Sequence, residues 1–145
     1  MEYADFTRGF ILKFDRGEEF HETLIEFFQQ KRIPGAFYQG IGALTDVELG
    51  VFNITKNDYD RHFFGEEYEL ITAVGNMSVM DGVSFPHTHV VLADNKCKTL
   101  AGHFFKGIVA VTLELFVFPI DIALNRKADE SLNFKSLHLP HHFVK

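Results

Sequence analysis

The stretch "GFILKFDRGEEFHETLIEFFQQKRIPG", residues 9–35, contains a strand pattern followed directly by a helix pattern. In residues 9–15 every second side chain is large and apolar, which is typical of a strand with one face on the core. Residues 18–32 repeat large apolar side chains at helical spacing, with acids in the first turn and bases in the last, as the helix dipole favours. Pro34 and Gly35 are expected to end this helix.

The chain beyond the helix is typical of strands. Glycines at positions 40, 42 and 50 interrupt strand-like residues, which predicts bulges or close backbone approaches. Further strands are predicted in "EEYELITAVGNMSV" (66–79) and "THVVLAD" (88–94), with a turn at "MDGVSFP" (80–86). Residues 107–120 are almost continuously apolar, as expected of a strand covered on both faces. One helix with five or more strands predicts an α+β domain in which a mixed or antiparallel sheet packs on the helix.

Length and composition favour one domain over residues 1–145 with a substantial core. The chain has 145 residues, 46% of them hydrophobic, and its 17 Phe residues suggest both a core and a large subunit contact. The net charge of -6 excludes the overall basic footprint with which many proteins gather phosphates. Any contact with DNA must therefore use a local patch, for which Lys96, Lys98 and Lys106 are the candidates.

The termini and the single cysteine bear on localisation. Cys97 has no second cysteine with which to form an internal disulfide, which is consistent with a reducing compartment. The charged start "MEYADFTRGF" is unlike a secretory leader, and the apolar run at residues 107–120 is too short to span a membrane as a helix. We therefore expect a cytoplasmic protein without a membrane partner, with Cys97 as a surface thiol.

Three histidines in "SFPHTHVVLADNKCKTLAGHFFKG", residues 84–107, raise the question of a metal site. His87 and His89 lie two apart on a predicted strand and so share a face. A reversal centred on residues 94–96 would place His103 opposite His87, so that all three rings converge. A two-residue reversal at 95–96 would turn His103 to the other face, so convergence depends on the turn.

Converging imidazoles would suit zinc and leave a fourth position for water or a small anionic ligand. The alternative is that His87, His89 and His103 only form hydrogen bonds within a sheet. Candidate acceptors to orient metal-bound rings are Asp94, Glu114 and backbone carbonyls. No catalytic residue, cofactor-binding motif or general base is fixed by a sequence motif, which favours a binding protein over an enzyme.

The remaining histidines are not predicted to form a functional site. His138, His141 and His142 in "SLHLPHHFVK" are interrupted by Pro140, which favours a solvated tail over a second metal site. His21 and His62 stand alone in the sequence, and we expect both to face solvent.

Four segments, taken together, resemble one known family. They are "GIGAL" (40–44), "YELITAVGNMS" (68–78), "PHTHVVLAD" (86–94) and "LAGHFFKGIVAVTLELFV" (100–117). In this order and spacing they resemble the PPC (plants and prokaryotes conserved) domain, also met at the C-terminal part of plant AT-hook nuclear proteins, most strongly over residues 10–119. The resemblance implies a homotrimer with a mostly antiparallel sheet and a zinc cluster at His87, His89 and His103. Prokaryotic members of the family are often described as DNA-binding.

Two departures from the plant proteins limit what the resemblance implies. No Arg-Gly-Arg-Pro hook is present, and "EEYELI" (66–71) matches the plant hexapeptide Gly-Arg-Phe-Glu-Ile-Leu only in part, with Glu67 where the family has Arg. We therefore expect a trimeric DNA-binding or regulatory protein with a three-histidine zinc site and weak DNA binding at best. The alternative is a small zinc-dependent enzyme with an open coordination position.

Overall fold

The computed structural model describes residues 1–129 and 131–139, which form one helix and nine strands. The elements in chain order are β1 (Glu2–Phe6), β2 (Gly9–Asp15), α1 (Phe20–Lys31), β3 (Ala36–Asn53), β4 (Asp58–Phe64), β5 (Tyr68–Met80), β6 (Val83–Ala93), β7 (Thr99–Pro119), β8 (Asn125–Ala128) and β9 (Lys135–His138). Within these residues no helix is long and apolar enough to cross a membrane.

Helix α1 forms where its sequence pattern predicts it. The Glu19 side chain caps the first turn by accepting a hydrogen bond of 2.6 Å from the backbone N–H of Glu22. Arg32 ends the helix in a left-handed conformation, with φ of 54°. The apolar stripe of the helix is buried against the sheet and consists of Phe20, Leu24, Phe27 and Phe28.

The sheet is mixed and mostly antiparallel. Strands β3, β5, β6 and β7 pair in a closed ring. Strand β3 lies between β5 and β7, and strand β6 pairs with the other edge of each of these two strands. Strand β2 extends the sheet from β7, and β4 pairs with β3. Among the described strands the one parallel pairing is between β5 and β8, at Val79 and Asn125. The predicted α+β class is confirmed.

Glycines produce the bulge that the sequence predicts in β3. The register between β3 and β5 shifts between Gly40 and Gly42. A Cβ on Gly40 would lie 2.3 Å from the carbonyl oxygen of Glu114 on β7, so only glycine lets the backbones approach this closely.

The predicted turn at residues 80–86 is too long. Met80 already pairs with Val83, and the reversal uses only Asp81 and Gly82, both with positive φ. Pro86 lies inside β6, at a point where the pairing of β6 with β7 has not yet begun.

The sequence predicts that strand β7 is covered on both faces, but in the single chain only one face is covered. Its inward residues reach the core, whereas Val111 is 67% exposed and Phe116 is 45% exposed in the single chain. Neighbouring strands continue this apolar surface, which we call the outer face. It consists of Phe37, Ile41, Ile71, Val74, Val111, Phe116 and Phe118.

Candidate metal centre

The hairpin of β6 and β7 sets the positions of His87, His89 and His103, which we call the histidine triad. His103 pairs with His89, not with His87, because the reversal takes five residues from Asp94 to Lys98. Both registers considered from the sequence are therefore wrong. The observed register differs by two residues from the one that placed His103 opposite His87. A shift of two residues keeps His103 on the face that His87 and His89 share.

A side-chain cap explains the length of this loop. The Asp94 carboxylate accepts hydrogen bonds from the backbone N–H groups of Lys96 and Lys98, at 2.9 and 2.8 Å. Cys97 adopts a positive φ of 58° and is exposed, as expected of a surface thiol. The loop geometry thus selects the convergent arrangement that the spacing alone left open.

The three rings of the triad meet. One nitrogen atom from each histidine lies within 4.8 Å of the other two. The ring centroids are 5.0 Å apart for His87 and His103, 5.2 Å for His87 and His89, and 5.5 Å for His89 and His103. His89 is exposed and the other two are half-buried, so the cluster is open to solvent on one side.

One triad nitrogen is buried without a hydrogen bond. Among the described residues, Nδ1 of His103 finds no partner, although its ring is packed between Tyr59 and Phe105 at centroid distances of 4.8 and 4.7 Å. A buried polar atom without a partner is unfavourable. The donor set of three imidazoles with an orphaned nitrogen fits a borderline-soft cation such as zinc.

Arg126 is the residue of this region that the sequence did not indicate. It comes from β8, is only 6% exposed, and lies against β5 and β6. Its guanidinium donates to Ser78 Oγ at 2.8 Å, to Asn76 Oδ1 at 2.9 Å and to the carbonyl oxygen of Lys135 at 2.7 Å. A fourth hydrogen bond, of 2.9 Å, joins Arg126 to Nδ1 of His87.

The contact with Arg126 fixes the proton on His87. A guanidinium can only donate, so Nδ1 of His87 is the acceptor and the neutral ring carries its proton on Nε2. If Nε2 of neutral His87 bound a metal, the ring proton would lie on Nδ1, which could then not accept a hydrogen bond. If Nδ1 bound the metal, it would use the lone pair that accepts the hydrogen bond from Arg126. Metal binding at His87 therefore requires the hydrogen bond with Arg126 to break.

Burial keeps His87 and His103 neutral. Desolvation, with the positive charge of Arg126 and the neighbouring His89, lowers the pKa of His87 to about 4. Desolvation and the other two triad rings lower the pKa of His103 to about 3. Neutral imidazoles are the form that binds metal.

Neither carboxylate considered from the sequence orients the triad. Asp94 caps its own loop, and Glu114 is exposed on β7 opposite Ile41, on the outer side of the sheet. Within residues 1–129 and 131–139, the side chain that forms a hydrogen bond with a triad ring is that of Arg126, which contacts His87.

A recess of about 210 Å³ opens beside the triad, and we call it the Arg126 recess. His87 and His103 form part of its wall. Its other lining residues are Asp58, Tyr59, Arg61, Phe85, Phe105, Arg126, Asn133, Phe134 and Lys135.

The expectation that His21 faces solvent is wrong. Its Nε2 lies 2.6 Å from the hydroxyl of Thr88, which in turn lies 2.7 Å from the hydroxyl of Tyr38. Thr88 sits between His87 and His89 in the sequence and so points to the opposite side of β6. Burial lowers the pKa of His21 to about 3, with smaller contributions from His103 and His87.

Two further histidines, His62 and His138, lie on strands other than β6 and β7. His62 is exposed on β4, as predicted. His138 lies on β9, whereas His141 and His142 fall outside the described residues, so the predicted C-terminal tail is not tested.

Comparison with known proteins places this geometry in a family. A search of curated protein sequences found no match. Among solved structures, a plant- and prokaryote-conserved (PPC) protein from Pyrococcus horikoshii is 26% identical, with a TM-score of 0.86 and 97% of each chain covered. A proposed DNA-binding protein from Bacteroides thetaiotaomicron is 25% identical, with a TM-score of 0.90, covering 94% of this chain and 96% of that one.

A third solved structure is named for its metal. The metal-containing protein from Archaeoglobus fulgidus is 29% identical and has a TM-score of 0.85, with 96% of this chain and 100% of that chain covered. The family model of the Plants and Prokaryotes Conserved (PCC) domain matches residues 1–121. The chain therefore belongs to the Plants and Prokaryotes Conserved domain family, abbreviated PCC or PPC, which confirms the resemblance found in the sequence.

Proposed function

We propose that this protein is a trimeric regulatory protein of the PCC family, built as a single domain over residues 1–145, that binds zinc through His87, His89 and His103. The observation that carries the proposal is the convergence of one nitrogen from each triad ring within 4.8 Å. A second observation supports it, since Nδ1 of His103 is buried without a partner among the described residues. The metal-containing relative from Archaeoglobus fulgidus supports a metal at this fold.

The metal would be held by three side chains that already converge, once His87 gives up its hydrogen bond with Arg126. His89 and His103 are paired across the hairpin, and His87 lies two residues along the same face. Three histidine ligands leave a fourth position, at which zinc acts as a Lewis acid toward water or an anion. The open side of the cluster, at exposed His89, gives such a ligand access.

Elemental analysis of the untagged protein tests the metal. We expect zinc in the wild type and loss of most of it in His87→Ala, His89→Ala and His103→Ala, because two ligands are too few for a tight site. His62→Ala is the matched control, since His62 is exposed and lies on β4. Zinc content that is unchanged in all three triad variants would refute the proposal, and joint loss of zinc and oligomer would make the site structural.

The outer face supports the trimer. Its seven large apolar side chains are each 38% or more exposed in the single chain, and a continuous apolar surface of this kind is typically buried between subunits. The number three comes from the resemblance to the family. Light scattering should give a trimer mass for the wild type.

Charged substitutions test which surface carries the assembly. Phe116→Glu and Ile41→Glu place a carboxylate on the outer face, and we expect each to yield smaller species. Ile54→Glu is the matched control, because Ile54 is 79% exposed and lies outside the outer face. A monomeric wild type, or a trimer that persists in both outer-face variants, would contradict this assignment.

DNA binding is proposed as weak, from the name of the Bacteroides relative and the charge of this chain. Lys96 and Lys98 share the β6–β7 loop, but Lys106 lies roughly 25 Å further along β7 by strand rise. Dispersed lysines on a chain of net charge -6 should give dissociation constants of about 10⁻⁴ to 10⁻⁶ M that weaken steeply with salt. Absence of binding to duplex DNA at low salt would exclude this role.

A further inference from the structure

Arg126 is a buried positive charge with an unusual set of partners. Its hydrogen-bond acceptors are a hydroxyl, an amide oxygen, a backbone carbonyl and a ring nitrogen, all of them neutral. Within residues 1–129 and 131–139 no carboxylate forms an ion pair with it. A buried charge without an opposite charge is costly, and the cost is removed when an anion binds beside it.

The Arg126 recess carries further positive charge around the same opening. Arg61 lies over the Phe105 ring at 3.8 Å, and Lys135 lies over the Phe85 ring at 5.2 Å. The carboxylate on the lining belongs to Asp58, which is exposed and accepts the backbone N–H of Tyr59. The lining therefore offers three cations to one peripheral carboxylate, and one of the cations, Arg61, also forms an ion pair of 3.4 Å with Glu48 outside the lining.

Metal binding would add to this imbalance. Four of the five N–H groups of Arg126 are used, and one of the four hydrogen bonds ends on His87. Because a metal-bound His87 cannot accept that hydrogen bond, Arg126 would regain a free N–H next to a newly bound cation. An anion in the recess would satisfy both.

We propose that the Arg126 recess binds a small organic carboxylate or phosphate, with its anionic group between Arg126 and the histidine triad and its body against Phe85, Phe105 and Phe134. The volume of about 210 Å³ corresponds to about seven water molecules at about 30 Å³ each, which admits a compact anion. The coupling to metal rests on the proposed zinc site, whereas the role of Arg126 does not.

Calorimetric titration with two probes, inorganic phosphate and benzoate, tests the proposal on the EDTA-treated and on the zinc-loaded full chain. We expect at least one probe to bind with a dissociation constant at or below about 1 mM. The cation benzylamine, which matches benzoate in shape, should not bind. Zinc should tighten anion binding, and the anion should tighten zinc binding by the same factor, because linkage is reciprocal.

Substitution of neighbouring cations assigns the binding to the recess. Arg126→Met should weaken anion binding by about 10-fold or more, since it removes a buried charge-assisted hydrogen-bond donor. Lys127→Met is the matched control, because Lys127 is the next residue on β8 and is exposed. Arg61→Met and Lys135→Met should weaken binding by about 2-fold to 5-fold each, as charges at a more solvated rim.

Several outcomes would overturn the proposal. One is the absence of saturable anion binding in both metal states, and another is a folded Arg126→Met that binds as the wild type does. If Arg126→Met does not fold by circular dichroism, the double variant of Arg61 and Lys135 decides, and unchanged affinity in it refutes the site. Binding of duplex DNA that depends on Arg126, without binding of either small probe, would assign the recess to nucleic acid instead.

The metal and anion proposals fail separately in this design. If the wild-type protein binds the anion but does not bind zinc, the metal proposal is refuted and the anion site stands. Zinc binding at the triad without any anion binding would do the reverse.

Discussion

Histidines lie on both sides of strand β6, and the two sides treat the same kind of side chain differently. On the core side, His21 contacts the Thr88 hydroxyl at 2.6 Å, and Tyr38 contacts the same hydroxyl at 2.7 Å. On the other side, Nδ1 of His103 has no hydrogen-bond partner among the described residues, and Arg126 is buried without a carboxylate.

The direction of the hydrogen bonds makes the core side self-sufficient. The neutral ring of His21 donates to the backbone carbonyl of Phe105, so its Nε2 is left to accept from Thr88. Thr88 can then accept from Tyr38, and the side-chain polar groups of His21, Thr88 and Tyr38 each have a partner. A completed network is typical of a histidine with a structural role, whereas buried polar atoms without partners are typical of a candidate ligand site.

Thr88→Val should have the largest effect on stability and should leave the metal in place. The substitution keeps the shape of the side chain but removes the hydroxyl that serves both His21 and Tyr38. Two buried polar groups then lose their partner at about 1–3 kcal/mol each, so we expect the free energy of unfolding to fall by about 2–6 kcal/mol. Urea unfolding in EDTA measures the loss, and zinc content should stay that of the wild type.

His89→Ala is the opposite half of this test. His89 is exposed on the other face of the same strand, so its removal should take most of the zinc and change unfolding in EDTA by less than about 0.5 kcal/mol. If Thr88→Val also abolished zinc binding while folded, the two faces of β6 would not be separable.

Local pattern was enough to predict the framework of the fold. The period-two alternation of residues 9–15 and the helical spacing of residues 18–32 each reflect burial of one face, and both elements form. The glycines of β3 were also informative, because Gly40 allows a close approach of backbones that any side chain would block. These features depend on a few neighbouring residues, which a sequence displays directly.

For the candidate site, the sequence could predict only which three histidines to consider. The shared face of His87 and His89 follows from strand geometry, but the register of His103 depends on a five-residue loop that Asp94 caps. Arg126 reaches the triad from β8, whose parallel contact with β5 has no signature in the local sequence. His21 was assigned to solvent because the sequence does not show that Thr88 lies beneath it.

His21→Gln should reduce the dependence of stability on pH. Burial lowers the pKa of His21 to about 3, whereas in the unfolded chain it is about 6.5. Between these values the unfolded chain binds a proton that the folded chain does not. Stability from the neutral ring is therefore complete above about pH 6.5 and is lost as the pH falls toward 3, by up to about 1.4 kcal/mol per pH unit.

Unfolding in EDTA from pH 7.5 to 4.5 measures this slope for the wild type and for His21→Gln. His87 and His103 contribute with the same sign in both proteins, and the wild type should be the steeper of the two because it also has His21. His62→Gln, at an exposed position on β4, is the matched control and should keep the wild-type slope. Equal slopes for His21→Gln and the wild type would show that His21 is not held neutral by the core.

Tyr38→Phe should lower stability less than Thr88→Val does, and the size of the loss measures how complete the core network is. Tyr38 is fully buried, and burial raises the pKa of its hydroxyl, which stays protonated. Its removal takes away one hydrogen bond but leaves Thr88 bonded to His21, so no remaining group is without a partner. We expect a loss of about 0.5–1.5 kcal/mol by urea unfolding and no change in zinc content. A loss as large as that of Thr88→Val would mean that the hydroxyl of Tyr38, rather than that of Thr88, holds His21 in place beneath β6.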